Sequence, residues 1–97
     1  MLSQNQIDII VESMLPYNPV RIGIFGSVAR SENSENSDVD ILYNFKDVIG
    51  FSKFLYLKDY LEKELTKKID LVDEHFVHPK MKPYIMNDLK LIYENGQ

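Results

Sequence analysis

Short β-type apolar runs alternate with helix-patterned segments along this chain, and that alternation restricts it to a small sheet covered by helices. The first segment places Ile7, Ile10, Val11, Met14 and Leu15 on one helical stripe. Ser3 and Gln6 have the spacing of a capping box, and Pro16 and Pro19 end the helix. Val20–Phe25 follows as a strand bounded by Gly26, then a short helix from Ser27 to about Arg30, a polar SENSENS loop over 31–37, and a second strand over Asp38–Phe45. After Gly50, Phe51, Phe54, Leu55, Leu57, Leu61 and Leu65 form a broad helical stripe whose opposite face is Lys- and Glu-rich. Lys68–Asp73 reads as a third strand, and Pro79 suits the first turn of a last helix reaching Asp88. Leu89–Tyr93 either continues that helix or forms a fourth strand, and the strand is preferred. The expectation is an α+β domain, α/β-like in its alternation, with a three- to four-stranded mixed sheet and flanking helices.

At 97 residues, one core serves the whole chain, so residues 1–97 are read as a single domain. Eleven Lys and Arg against fifteen Asp and Glu leave a net charge of -4, the wrong sign for coating nucleic acid or an anionic membrane. The absence of Cys excludes disulfide staples, thiolate metal sites and thiol nucleophiles, and fits a reducing cytoplasm. The N-terminal MLSQNQIDIIVESML lacks the basic region and continuous apolar block of a secretory signal. No run approaches the eighteen or so apolar residues of a membrane span.

Chemistry concentrates where Gly26-Ser27 is followed, ten residues later, by Asp38-Val39-Asp40. Gly26 can turn tightly at a strand end and let a ligand approach the backbone. Ser27, at the start of a short helix, offers a hydroxyl and free N–H groups to a phosphate, and Arg30 adds a positive charge one turn on. Asp38 and Asp40 alternate on the expected strand, so both carboxylates project from one face, about 7 Å apart. Such a pair holds hard cations, and Mg²⁺ is the usual one where a nucleoside triphosphate supplies the remaining oxygens. Asp70, between Ile69 and Leu71-Val72, is the candidate third carboxylate, because a lone acid buried in an apolar strand needs a partner. Asp73 competes with it, but at a strand end where water satisfies it.

Each piece alone has a plainer reading: a capped strand-ending turn for Gly26-Ser27, a solvated strand entry for Asp38 and Asp40, a surface charge for Arg30. Their joint spacing decides otherwise, since it arises by chance on the order of once per thousand chains of this size. His75 and His78 form an H-x-x-H without further zinc ligands, which suits a helix start or surface position. No tyrosine among the six is singled out as a base-stacking platform.

The segment GSVARSENSENSDVDIL resembles the signature of the minimal nucleotidyltransferases, within the polymerase-β-like nucleotidyltransferase superfamily. Ile24-Phe25, Ala29-Arg30, Ser37, the lone Asp70 and the closing IYENG also match the family pattern, while Ser31 stands where the family usually has Gly. The resemblance implies Mg²⁺-dependent transfer of AMP from ATP to a hydroxyl. Gly26, Ser27 and Arg30 would hold the triphosphate, Asp38 and Asp40 would ligate two Mg²⁺ ions, and Asp70 would bind the catalytic ion and help deprotonate the acceptor. It further implies an antitoxin whose partner is a HEPN-type toxin modified on a tyrosine, with a dimer or hetero-oligomer as the assembly. Two other outcomes stay open: an antitoxin that neutralises by occlusion alone, and modification of a small hydroxylated molecule, which the lack of a second domain disfavours.

Overall fold

The structure, a computed structural model, describes residues 2–32 and 37–95. Most of the expected SENSENS loop therefore lies outside the described residues. Helix α1 (Gln4–Met14) opens with the capping box: Gln6 N–H donates to Ser3 Oγ at 3.2 Å, and Ser3 N–H donates to Gln6 Oε1 at 2.9 Å. A 3₁₀ turn at Leu15–Tyr17, with Pro16 inside it, ends at Asn18, whose φ of 55° redirects the chain into strand β1 (Pro19–Phe25). Helix α2 (Gly26–Ala29), strand β2 (Val39–Phe45), helix α3 (Phe51–Leu65), strand β3 (Ile69–Asp73), helix α4 (Lys82–Asp88) and strand β4 (Lys90–Glu94) complete the order. The fourth strand is thus present. The last helix begins later than Pro79 suggested: residues 79–81 form a turn in which Met81 N–H donates to the His78 carbonyl, and Pro83 occupies the first helical turn instead.

The sheet runs β3-β2-β1-β4, with β1 antiparallel to both β2 and β4 and β2 parallel to β3. Strand alternation sends Val39, Ile41, Tyr43 and Phe45 of β2 into one core with Ile22, Ile24, Ile69 and Leu71. Ile10 and Met14 of α1 and Leu57, Leu61 and Leu65 of α3 cover that face. Asp40 and Asn44 alternate to the opposite face. Gly23 in β1 makes room for Leu89, whose Cδ1 lies 2.4 Å from where a Cβ would stand. Among the described residues no helix is long and apolar enough to cross a membrane.

One buried acid escaped the sequence reading. Glu74 is only 8% exposed and takes both ends of the Arg21 guanidinium, with Nε donating to Oε1 at 2.7 Å and Nη2 to Oε2. Asn44 Nδ2 adds a weaker bond. The Arg21 hydrogen bonds hold the Glu74 carboxyl below the usual range. A depressed carboxyl stabilises the fold above its unfolded pKa, and that contribution is lost as pH falls through the folded value. Arg21→Met leaves Glu74 buried without its cation, so a loss of about 3 kcal/mol is expected in urea unfolding at pH 7.

Candidate functional site

Strand β1 delivers the chain to Gly26 at φ 76°, a left-handed conformation that L side chains rarely adopt. The glycine has a second reason to be there: a Cβ at this position would stand 2.1 Å from Asp40 Oδ2. The carboxylate therefore lies directly against the turn. Helix α2 is a single turn pinned by the buried Val28 and Ala29, which leaves Ser27 half-buried at its start. It closes with Arg30 N–H donating to the Gly26 carbonyl at 3.1 Å and Glu32 N–H to the Ser27 carbonyl at 2.9 Å.

Ser31 follows at φ 59°, a left-handed conformation that favours Gly. Serine adopts the same geometry at a steric cost of about 1 kcal/mol. Ser31→Gly is accordingly expected to raise stability by nearly that amount in thermal melts and to leave the carboxylates undisturbed.

Asp40 and Asp70 come together at one end of the sheet, with Asp38 just ahead of β2. Asp40 pairs across the antiparallel ladder with Phe25, the residue before Gly26, and across the parallel ladder with Asp70. The matching register directs Asp40 and Asp70 to the same face. Burial, then the charges of Asp70 and Asp38, push the Asp40 carboxyl up to about 6, with Arg30 opposing them. Two expectations need correction. Strand β2 begins at Val39, so Asp38 is an exposed residue just before the strand. Asp70 is exposed, so the cost of burying a lone acid is not what brings it to Asp40; the β2–β3 register does that. Asp73 lies opposite Tyr43, three residues further along β3, and accepts from His75 instead.

Arg30 is exposed and ion-paired, to Glu32 at 2.8 Å and to Asp88 of α4. It reaches Asp40 through its charge while its guanidinium is held by those carboxylates. Among the described residues, the hydrogen bonds of His75 and His78 are local, His78 Nδ1 accepting from Lys80 N–H at 3.0 Å.

Among the described residues, no three acidic or histidine side chains form a ready-made metal cage. The donor set nonetheless suits Mg²⁺, which takes one or two carboxylates and completes its octahedron with water and substrate phosphates. Asp40, its affinity for a proton raised by burial and by the charges of Asp70 and Asp38, is in the electrostatic condition that a bound cation relieves. An aromatic-lined cleft of about 680 Å³, bounded by Tyr43, Phe45, Phe51, Phe54 and Phe76, lies toward the other end of β2 and takes in none of these acids.

The profile of the family described as Polymerase beta, Nucleotidyltransferase matches residues 5–97. A candidate protein adenylyltransferase of Methanocaldococcus jannaschii is 37% identical over 79 residues, covering 81% of this chain and 85% of that protein. The protein adenylyltransferase MntA of Thermococcus cleftensis is 49% identical over 51 residues, 53% of this chain and 52% of its own. Among solved structures, a toxin–antitoxin with AMP-PNP superposes with a TM-score of 0.82 at 24% identity, covering 99% of this chain and 77% of that one. A chain from the complex of a tri-AMPylated Shewanella oneidensis HEPN toxin with its MNT antitoxin gives 0.77 at 19% identity, covering 97% and 74%. At those identities the two structures establish the shared fold.

Proposed function

Because this chain belongs to the polymerase beta nucleotidyltransferase family, we propose that it transfers AMP from ATP to a hydroxyl of a partner protein and acts as the antitoxin of a HEPN-type toxin. The observation that carries the proposal is the register that sets Asp40 beside Asp70 while Gly26 presses against Asp40, which supports reading the acids and the turn as parts of one site. The relatives named as protein adenylyltransferases support the reaction class. The toxin–antitoxin complexes that share the fold support the partner class.

In this reading the Gly26-Ser27 turn, with its N–H groups and the Ser27 hydroxyl, seats the triphosphate. Asp38, Asp40 and Asp70 would hold Mg²⁺, two ions in the full arrangement, and the bound metal would supply charge stabilisation during the transfer. The acceptor is a tyrosine hydroxyl. Asp70 takes its proton, the oxygen bonds to the α-phosphorus, the bond to the bridging oxygen breaks, and pyrophosphate leaves. Arg30 has to exchange Glu32 or Asp88 for a phosphate before it can assist.

Ligand-induced stabilisation tests the site without relying on turnover. Mg²⁺ together with a non-hydrolysable ATP analogue at about 100 times its Kd is expected to raise Tm by on the order of 10 °C. Neither component alone should give the full shift, and Asp38→Asn/Asp40→Asn should remove it. An equal shift in the double variant assigns nucleotide binding elsewhere.

A further inference from the structure

A second cleft, of about 610 Å³, opens beside Asp38 and Asp70 on the flank of the sheet away from Gly26-Ser27. We infer that it is the acceptor entrance and that it selects a hydroxyl carried on an acidic peptide segment; this deepens the transfer reading above and rests on it. The placement follows from strand order. Asp40 on β2 stands between β1, which ends at the phosphate turn, and β3, which begins next to Asp70. A triphosphate seated at the end of β1 and an acceptor arriving over the start of β3 approach the carboxylates from opposite sides, as in-line displacement requires.

The walls of the cleft supply the selectivity. Lys58, Lys67 and Lys68 line it beside Glu62. The negative charge of Glu62 is already committed, since Oε2 accepts from Lys58 Nζ at 3.0 Å and from Ile69 N–H at 3.0 Å. Among the described residues, Lys67 and Lys68 make no ion pair, although the charge of Lys68 helps to hold the Glu62 carboxyl down. Thr66, at φ 52° with its Oγ1 donating to the Leu65 carbonyl, turns the chain sharply out of α3, so both lysines follow directly at the lip of the cleft. In a chain of net charge -4, this basic lip sits next to a cluster of acids. A neutral acceptor gains nothing from it, whereas carboxylates flanking the acceptor hydroxyl meet the lysines and offset repulsion by Asp38 and Asp70. The plainer role for the lysines is to complement the C-terminal dipole of α3, which affects stability and not the choice of acceptor.

The test uses two fluorescent peptides with one central tyrosine, flanked by Glu in one and by Gln in the other. Anisotropy is read on the whole chain with Mg²⁺ and the non-hydrolysable ATP analogue. At low salt the acidic peptide is expected to bind about fivefold tighter, from two exposed ion pairs of modest strength. Added salt should erase the difference, and Lys67→Glu/Lys68→Glu should abolish or reverse it while the nucleotide-induced Tm shift is unchanged. Equal affinities, no binding of the acidic peptide, or a preference that survives the charge reversal overturns the inference. A double variant that only melts lower assigns the lysines to the helix end, with the same consequence. Label transfer to the peptides from α-labelled ATP, run in parallel, reports on the transfer reading itself: absence of label with the binding preference intact counts against that reading alone.

Discussion

The Asp40→Asn protein is expected to melt higher than the wild type at neutral pH and to lose AMP transfer by about a thousandfold. Both effects have one origin. In the fold the Asp40 carboxyl is raised from an ordinary 3.8 to about 6 by burial and by Asp70 and Asp38. A raised carboxyl means that the native state holds its proton more tightly than the unfolded chain does. Its contribution to stability is therefore favourable below the unfolded value, declines as pH rises from about 4 to about 6, and stays low above that. At pH 7.5 the ionised group costs stability, and solvent screening at this partly open site leaves about 1 kcal/mol of the effect. Asparagine keeps the shape and removes the charge, so Tm should rise by about 5 °C at pH 7.5 and by almost nothing at pH 4. The lost activity follows from the proposed reading, in which Asp40 would be the central cation ligand and its removal would cost several kcal/mol in the transition state. Calorimetry across pH 4 to 8 beside a label-transfer assay checks both halves; a lower Tm at pH 7.5 contradicts the electrostatic account.

Gly26→Ala is expected to lower transfer by about a hundredfold while the protein still folds. The new methyl meets Asp40 Oδ2 at 2.1 Å, so the carboxylate must swing away, and misplacement of a ligand by about an ångström costs on that scale. Alanine at φ 76° adds strain of about 1–2 kcal/mol, visible as a lower urea midpoint. The two effects separate cleanly: Ser31→Gly and Gly26→Ala change backbone strain in opposite directions, and only the second touches Asp40. A Gly26→Ala protein with wild-type turnover means that Asp40 does not need its present position.

Much of this was legible from residues because local rules and the fold agree. The capping box at Ser3 and Gln6, the β-type run before Gly26 and the apolar stripe of α3 each have a local cause, and each element formed where that cause placed it. The Gly26-Ser27 turn was legible as a turn, but the press of Asp40 against it was not, because that contact is made across the ladder. Asp70 was singled out for a burial it does not have; what unites it with Asp40 is a parallel register that no local pattern encodes. Glu74 was invisible for the same reason, its partner Arg21 lying 53 residues away, although a charged residue between Val20 and Ile22 was the available signal. The start of α4 was misplaced because two prolines, Pro79 and Pro83, both fit a first helical turn.

The most direct measurement is label transfer in a lysate of the protein's own cells. The pure chain is supplied with Mg²⁺ and α-labelled ATP beside the Asp38→Asn/Asp40→Asn variant. A labelled protein band formed only by the wild type is predicted, with mass spectrometry placing AMP on a tyrosine of a helical toxin. A stable partner recovered by both forms with no label on it would contradict the enzymatic account and leave neutralisation by occlusion.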